Sequence, residues 1–390
     1  MATTTTTLGI RREIFDDVHE DYRESFRAFL QAEVVPNHEA WKKAHIVPRE
    51  LFTKAAEGGF IAMDIPEEYD GVGIDDWRFH AVLAEECAYA AVQSSWMGPS
   101  VVNDLGLPYL LAAANEEQRG RWFPGIASGE IILALAMTEP GTGSDLAGIQ
   151  ARAVRDGDDW ILNGAKTFIS NGINADLVVT AVRTGDDPHA GLSMMVLERG
   201  MEGFERGKQI EKVGQHANDT AELFFNDCRV PGANLLGEEG TGFGQLMAHL
   251  VPERLSLAVS SMAGAEAALK LTIDYVKERK AFGRPISTFQ NTRFLLADLQ
   301  TKVEMTRLFI DRTIARHVEG TATVQEAAMA KYAATELFSE VADAGVQLHG
   351  GYGYTTEYAI SEFWTDARLN RIYAGTNEIM KELIGRAMGL

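Results

Sequence analysis

The hydrophobic period changes twice along this chain, from helical to strand-like near residue 130 and back to helical after Gly242. Helices, then strands, then helices is an order that few folds have. In the first block Phe15, Val18, Tyr22, Phe26, Phe29 and Val34 recur at helical spacing, an apolar stripe that stops at Pro36. A second helix is predicted before Gly58-Gly59, where glycine suits the C-cap. Asn115-Glu116-Glu117-Gln118 carries the capping-box pattern and opens another helix.

In the middle block Ile131 to Met137 is an apolar run of strand length, followed by a loop rich in Gly and Pro. Gln150 to Arg155, the turn Asp156-Gly157-Asp158 and Trp160 to Asn163 together predict a hairpin. Lys166 to Ser170 then runs into Asn171-Gly172, and Leu177 to Arg183, Leu192 to Glu198 and Ala221 to Asn226 continue the pattern. Short strands at about ten-residue spacing, with turn residues between them, predict an antiparallel barrel or sandwich. After Gly242 long helices fit residues 243–278, 289–319, 324–349 and 377–388, with Gly and Pro between them. The pattern divides the chain into an N-terminal helical domain (1–130), a middle β-domain (131–241) and a C-terminal helical bundle (242–390), an α+β architecture without a fixed repeat or a long linker.

Composition excludes several function classes. A chain of 390 residues, 46% hydrophobic and 24% charged, is long enough for two or three domains with ordinary cores. No apolar run reaches the roughly 18 residues of a membrane span. The formal net charge of -20 opposes non-specific attraction to nucleic acid or anionic lipid. It leaves room for a phosphorylated ligand, which local Arg and Lys side chains and helix N-termini can hold. Cys87 and Cys228 lie far apart and outside any metal-binding spacing, so neither a disulfide framework nor a zinc or other metal site is expected. The opening Thr tract, residues 1–7, reads as a frayed terminus without signal- or transit-peptide character, and a cytoplasmic location is the expectation.

Four stretches can carry chemistry. Met137-Thr138-Glu139-Pro140-Gly141-Thr142-Gly143-Ser144-Asp145 takes a strand into a glycine- and hydroxyl-rich loop, able to bring donors against a planar or phosphorylated ligand or to serve as an ordinary tight turn. Arg279-Lys280-Ala281-Phe282-Gly283-Arg284 follows a long helix; a basic helix end is otherwise a solvated terminus that suits the dipole. Gln347-Leu348-His349-Gly350-Gly351-Tyr352-Gly353 ends the next long helix with paired glycines, where backbone can approach a pyrophosphate or merely form a C-cap. Ala374-Gly375-Thr376-Asn377-Glu378 puts a Gly-Thr-Asn turn at a helix N-terminus, which is an anion site or a plain N-cap.

Taken in order, these stretches resemble the acyl-CoA dehydrogenase family along nearly the whole chain. Ala136 to Gly148 looks like the first family signature and Gln347 to Asp366 like the second. Lys277 to Gly283 and Gly375 to Glu378 match two further family stretches. Asp159 to Gly172, Gly214 to Pro231 and the C-terminal helix are most similar to the long-chain branch. The resemblance implies a middle β-barrel or sandwich, a C-terminal four-helix bundle and an FAD between them whose AMP end reaches a neighbouring subunit. It implies flavin contacts from Met137, Thr138, Gly143, Phe168, Ile169 and Ser170, with Ser144 near flavin or substrate. Phe168 matches an aromatic ring on the flavin face; without the resemblance it is β-domain core. Arg279, Phe282, Gln290, Gln347, Gly350 and Gly351 match residues that hold the adjacent subunit's FAD, and Thr376 and Glu378 also match FAD contacts. A homotetramer, an acyl-CoA substrate and an electron-transfer flavoprotein as acceptor follow from the same resemblance. No GxGxxG follows a strand, so a nicotinamide-binding fold is not expected.

The reaction implied is α,β-dehydrogenation of an acyl-CoA thioester to a trans-2-enoyl-CoA, within fatty acid β-oxidation. A base takes the α-proton, donors polarise the thioester carbonyl, and hydride passes from Cβ to flavin N5. Many relatives carry the base as a Glu directly before the Gly-Thr of the C-terminal loop. This chain has Ala374 there. The long-chain and isovaleryl branches take the base from a Glu-Arg-Leu sequence in the first bundle helix, which here is Glu253-Arg254-Leu255. Glu253 is thereby implied as catalytic base, Arg254 and Gly375 as substrate contacts, and the Ala374 backbone N–H as a donor to the thioester carbonyl. The bland alternative makes Glu253 a first-turn acid beside Pro252, favoured by the helix dipole.

Glu362 and Thr365 stand where the second signature usually has basic residues. Trp96, Asn103 and Asp104 fall in the segment that lines the acyl pocket in relatives, where unpaired polar groups would oppose a long aliphatic tail. An acyl-CoA oxidase, a branched- or short-chain dehydrogenase of amino-acid breakdown, and a silent scaffold on the same fold are the competing readings.

Overall fold

The segment that shapes the site begins in the N-terminal helices. The computed structural model describes residues 12–390, so the Thr tract lies outside the described residues. α1 (Asp17–Phe29) opens with a capping box between Asp16 and His19. Phe26 of α1 and Leu30 and Val34 just beyond it are buried, but Val18, expected in the apolar stripe, is 57% exposed. Pro36 does not end the helical path. The helix widens into one π turn over Leu30–Val34, tightens over Val35–Asn37 and continues as α2 (His38–Ala44), because proline is tolerated in the first turn of the new segment. α3 (Glu50–Glu57), α4 (Arg78–Tyr89), α5 (Gln93–Ser100), a π segment over Val101–Gly106, α6 (Leu107–Ala113) and α7 (Glu116–Ala127) complete the block. The capping box predicted at Asn115 and Gln118 is present.

The strands are β1 (Leu133–Ala136), β2 (Arg152–Asp156), β3 (Asp159–Ser170), β4 (Leu177–Arg183), β5 (Leu192–Glu198), β6 (Phe204–Gln209), β7 (Thr220–Val230) and β8 (Leu235–Leu236). They form one sheet in the order β6-β7-β3-β2-β4-β5-β8, with β1 pairing β4. Most pairings are antiparallel, as expected for the middle domain; β1 and β2 run parallel to β4, which periodicity does not disclose. The two runs on either side of Gly164 are a single strand, β3, with irregularities at Leu162/Gly164 and Lys166/Ile169. β6 is an edge strand whose charged sequence hides it from pattern reading.

Why β4 and β5 read as continuous apolar runs is clear from their two faces. Leu177, Val179 and Ala181 of β4 and Leu192, Met194 and Val196 of β5 pack into the core of the N-terminal helices. Val178, Val182, Met195 and Leu197 point the other way, into the β-domain's own core. A strand buried on both sides has no polar face to show.

α8 (Gly242–Glu278), a short hairpin of β9 (Lys280–Ala281) and β10 (Arg284–Pro285), α9 (Gln290–Val318), α10 (Val324–His349), α11 (Ala359–Asn370) and α12 (Asn377–Ala387) follow. The β9–β10 hairpin and α11 are additions to what the sequence pattern outlines. α8 and α10 lie in close contact where a Cβ on Gly264 would stand 2.7 Å from Phe338. Buried charge ties the blocks together. Arg307 on α9 reaches Glu85 on α4 at 3.0 Å and Glu266 on α8 at 2.6 Å, and Arg12 reaches Glu85 at 2.8 Å and Asp311 at 2.7 Å. Among the described residues no helix is long and apolar enough to cross a membrane.

Candidate active site

Glu253 lies well inside α8 rather than in its first turn, so the dipole explanation fails: that effect fades within the first turn. Pro252 is accommodated within the same helix. Glu253 is 5% exposed, and its Oε1 accepts a hydrogen bond of 2.9 Å from the Tyr109 hydroxyl of α6. Burial pushes its carboxyl up to about 7, against the Tyr109 hydrogen bond and the Arg254 charge, which both pull it down. A carboxylate poised near neutrality is what a general base needs. Sequence reasoning missed Tyr109, which is 144 residues away and carries no local signal.

Arg254 is also buried, and burial lowers its pKa. Its Nε and Nη1 are enclosed and find no acceptor among the described residues. Buried donors without partners are rare and fit a carbonyl or anionic group on a ligand. Nη2 points to the C-terminal loop: a Cβ on Gly375 would stand 3.9 Å from it. That loop is held from beneath by Lys331 of α10, whose ammonium donates to Gly375 O at 2.9 Å and Asn377 Oδ1 at 2.8 Å. Thr376 caps α12 through Ile379 N. Ala374 and Gly375 both adopt positive φ, 52° and 86°, which presents their backbone in a conformation unusual for a non-glycine residue at position 374. Arg254 thus links α8, on which Glu253 is its neighbour, to the Ala374–Gly375 loop.

A second cluster stands at the ends of β1 and β3. Thr138 O accepts from Thr167 N at 2.9 Å, which joins the loop after β1 to β3. Phe168 is not β-domain core. It is 66% exposed, with φ of 59°, so an apolar ring is held in solvent by a backbone that most residues avoid. Ile169 faces the core, leaving only its backbone for a ligand, and Ser170 Oγ accepts from Asn218 Nδ2 at 3.3 Å. Below Met137, buried Lys166 donates to Met137 O at 2.9 Å and to Glu139 Oε1 at 2.8 Å. Gly143 and Ser144 lie on the exposed loop, and a Cβ on Gly143 would meet nothing. An exposed ring, an open glycine loop and a hydroxyl fit a planar cofactor such as FAD.

The third group is elsewhere. Arg279, Phe282, Gln290, Gln347, Gly350 and Gly351 are all exposed, and Phe282 is 96% so. Arg279 follows Glu253 along α8 at about 39 Å, taking 1.5 Å per residue. Arg279 lies over the Tyr352 ring at 5.6 Å, and a Cβ on Gly350 or Gly351 would meet nothing. Glu378 is exposed at the start of α12.

The departures noted in the sequence are resolved locally. Glu362 accepts from Lys42 at 2.8 Å and stands 3.0 Å from His38 Nε2, so its reversed charge is matched by the Lys42 ammonium of α2. The group His38, Glu39 and Glu362 has metal-compatible spacing, but the Lys42 ammonium already bonds both carboxylates. Asn103 spends its amide on Phe60 O and Ala62 N, Asp104 bonds His80 and Ser256, and Trp96 packs on Phe26. The polar atoms of Asn103 and Asp104 are engaged by protein, whereas the buried Trp96 Nε1 has no hydrogen-bond partner among the described residues. Cys87 and Cys228 are free and buried.

Comparison with known proteins agrees in extent. The acyl-CoA dehydrogenase N-terminal, middle and C-terminal domain families match residues 16–130, 134–228 and 240–389. The chain is 45% identical to the mitochondrial long-chain specific acyl-CoA dehydrogenase of Sus scrofa, over 98% of this chain and 88% of that protein. It superposes on the crystal structure of an acyl-CoA dehydrogenase from Geobacillus kaustophilus with a TM-score of 0.95 at 46% identity, covering 97% of this chain and all of that one (100%). A glutaryl-CoA dehydrogenase from Mycobacterium smegmatis, solved in complex with FADH2, gives a TM-score of 0.89 at 26% identity, covering 96% and 95%.

Proposed function

Because the chain belongs to the acyl-CoA dehydrogenase family, we propose that Glu253 takes the α-proton of an acyl-CoA thioester, which leaves as the trans-2-enoyl-CoA. The protein is an FAD-dependent acyl-CoA dehydrogenase of fatty acid β-oxidation. The observation that carries the assignment of the base is the buried Glu253 carboxylate, raised towards neutrality next to Arg254, whose guanidinium reaches the 374–376 loop, where Ala374 brings no acid of its own.

The chain's own groups divide the work. Glu253 receives the proton, and the electron pair left on Cα forms the new double bond. The backbone N–H of Ala374 donates to the thioester carbonyl, which acidifies the α-carbon. The unpartnered guanidinium nitrogens of Arg254 receive the polar part of the acyl-CoA, beside Gly375. Met137, Thr138, Gly143, Ser144, Phe168, Ile169 and Ser170 line the face that receives the flavin ring, with Thr376 and Glu378 completing it. FAD supplies the acceptor for the β-hydrogen and its electron pair.

The exposed group of Arg279, Phe282, Gln290, Gln347, Gly350 and Gly351 serves the FAD of a neighbouring copy in a homotetramer. Its support is the length of α8 between it and Glu253 and the bare Phe282 ring. Electrons pass on to an electron-transfer flavoprotein; the described residues contain no parallel sheet of the doubly wound kind that would hold a nicotinamide dinucleotide. Asn103 and Asp104 are engaged by protein, so neither of these polar side chains is left free to oppose a long aliphatic tail. The test is anaerobic flavin reduction by acyl-CoAs of increasing chain length in wild type and Glu253→Gln. Loss of about 10²–10⁴ in rate with FAD retained supports Glu253 as base; an unchanged rate refutes it.

A further inference from the structure

Every charged or titratable group near Glu253 bears on how the carboxylate is kept ready. Arg254 is its neighbour on α8, and Lys331 of α10 lies behind Arg254 under the Gly375 loop. On the N-terminal side, Asp104 bonds Ser256 of α8 at 2.8 Å and is itself engaged by His80, which Asp64 also contacts. None of these hydrogen-bonds the carboxylate. Among the described residues, the one hydrogen bond to it comes from Tyr109, across the gap between α6 and α8.

Tyr109 is built to be a fixed donor. It is 1% exposed, and burial together with the Glu253 charge raises its pKa well above the usual phenol range, so the proton stays on the hydroxyl. Its ring stacks on His249 of α8 at 4.2 Å and 23°. His249 is clamped in turn: its two ring nitrogens stand 2.9 Å from Gln245 O and 3.2 Å from Pro108 O, the residue before Tyr109. The clamp joins α6 to α8 one turn before Glu253. A hydrogen bond to Oε1 leaves Oε2 as the basic atom, and it favours the charged carboxylate against the burial that disfavours it.

We infer that Tyr109 is a positioning residue for the base, holding one oxygen of Glu253 so that the other is ionised and aimed when acyl-CoA arrives. The inference rests on the reading of Glu253 as base. A sequence that takes its base from α8 instead of the 374 position must orient a carboxylate that projects from the interior of a helix. Tyr109 supplies that restraint from another domain.

The experiment separates the base from electron transfer by using acetyl-CoA, which has no β-carbon and can only exchange its α-protons. Deuterium uptake from D2O into acetyl-CoA is followed by NMR across pH on the FAD-loaded protein. In Tyr109→Phe the acid limb of the exchange profile is expected to move up by about one to two pH units, since a hydrogen bond to a charged group is lost. At high pH the rate recovers most of the wild-type value. In a protein with 3-fluorotyrosine at position 109, a stronger donor of nearly the same size, the limb moves down; this variant keeps the test open even if the phenylalanine protein folds poorly. A limb that stays put in either well-folded variant, or a loss uniform in pH, overturns the inference. Glu253→Gln run alongside distinguishes the failures: exchange that survives there refutes Glu253 as base, whereas exchange abolished there with unmoved Tyr109 profiles refutes only the role of Tyr109.

Discussion

Lys166 Nζ stands 2.8 Å from Glu139 Oε1 beneath the loop that follows β1, with the lysine wholly out of solvent. The same ammonium holds Met137 O, and the Glu139 carboxylate accepts the backbone N–H groups of Gln150 and Ala151. The pair therefore sets the path of the loop that carries Thr138 and Ser144. Lys166→Met leaves a buried carboxylate without its cation, which typically costs about 3–5 kcal/mol. The expected outcome is a clearly lower thermal midpoint and weaker FAD retention. Adding Glu139→Gln to that variant restores part of the midpoint, because a neutral amide needs no counter-ion. Thermal unfolding of wild type and these two variants, with and without added FAD, checks it.

Phe168 predicts the opposite signature. Its ring is exposed and touches little of its own chain, so Phe168→Ala changes the stability of the FAD-free protein by no more than about 0.5 kcal/mol. A stacked ring is worth about 0.5–1.5 kcal/mol, hence FAD affinity falls roughly two- to twelvefold. Calorimetric FAD binding to stripped protein measures both sides of the comparison. A core role would reverse them, with large destabilisation and no specific change in affinity.

The vacated position 374 offers a gain-of-function test. Ala374 already tolerates a positive φ with a side chain, and its neighbour Gly375 lies beside Arg254. Ala374→Glu adds no new Cβ to the strained backbone. Placed in the Glu253→Gln protein, it should recover part of the anaerobic flavin-reduction rate. Recovery stays incomplete, because a misplacement of about 1 Å can cost 10²-fold. Single-turnover rates of the single and double variants decide it.

Asp366 gives a pH dependence of stability. It is buried on α11, accepts a hydrogen bond from Gln215 N at 2.6 Å, and has its carboxyl pushed up to about 7, first by burial and then by Glu362. With the folded pKa above the unfolded one, the folded state holds the extra proton. The contribution is fully present below about pH 4 and is lost as pH rises through about 7, by at most about 4 kcal/mol. Asp366→Asn should flatten this slope, so its advantage over wild type in thermal midpoint is larger at pH 8 than at pH 5. Equal midpoint differences at both values would exclude the assignment.

Much of this molecule was legible before any coordinates. The turn of hydrophobic period at residue 130 and its return after Gly242, the Asn115 capping box and the strands at 177–183 and 192–198 are local information, written in neighbours a few residues apart. So was the chemical clue that Ala374 and Glu253 supply together. Tertiary structure decided the rest. Alternate residues of β4 enter two different cores, which no single-strand pattern can tell from a wholly buried strand. Val18 faces solvent although it keeps helical spacing. Phe168 looks like core in one dimension and stands bare in three, since its outward direction depends on a backbone angle set by the irregularity in β3. The partner of Glu253 was unreadable for the same reason: a hydrogen bond between residues 144 apart is specified by how α6 packs on α8, and residue spacing along the chain carries no trace of it.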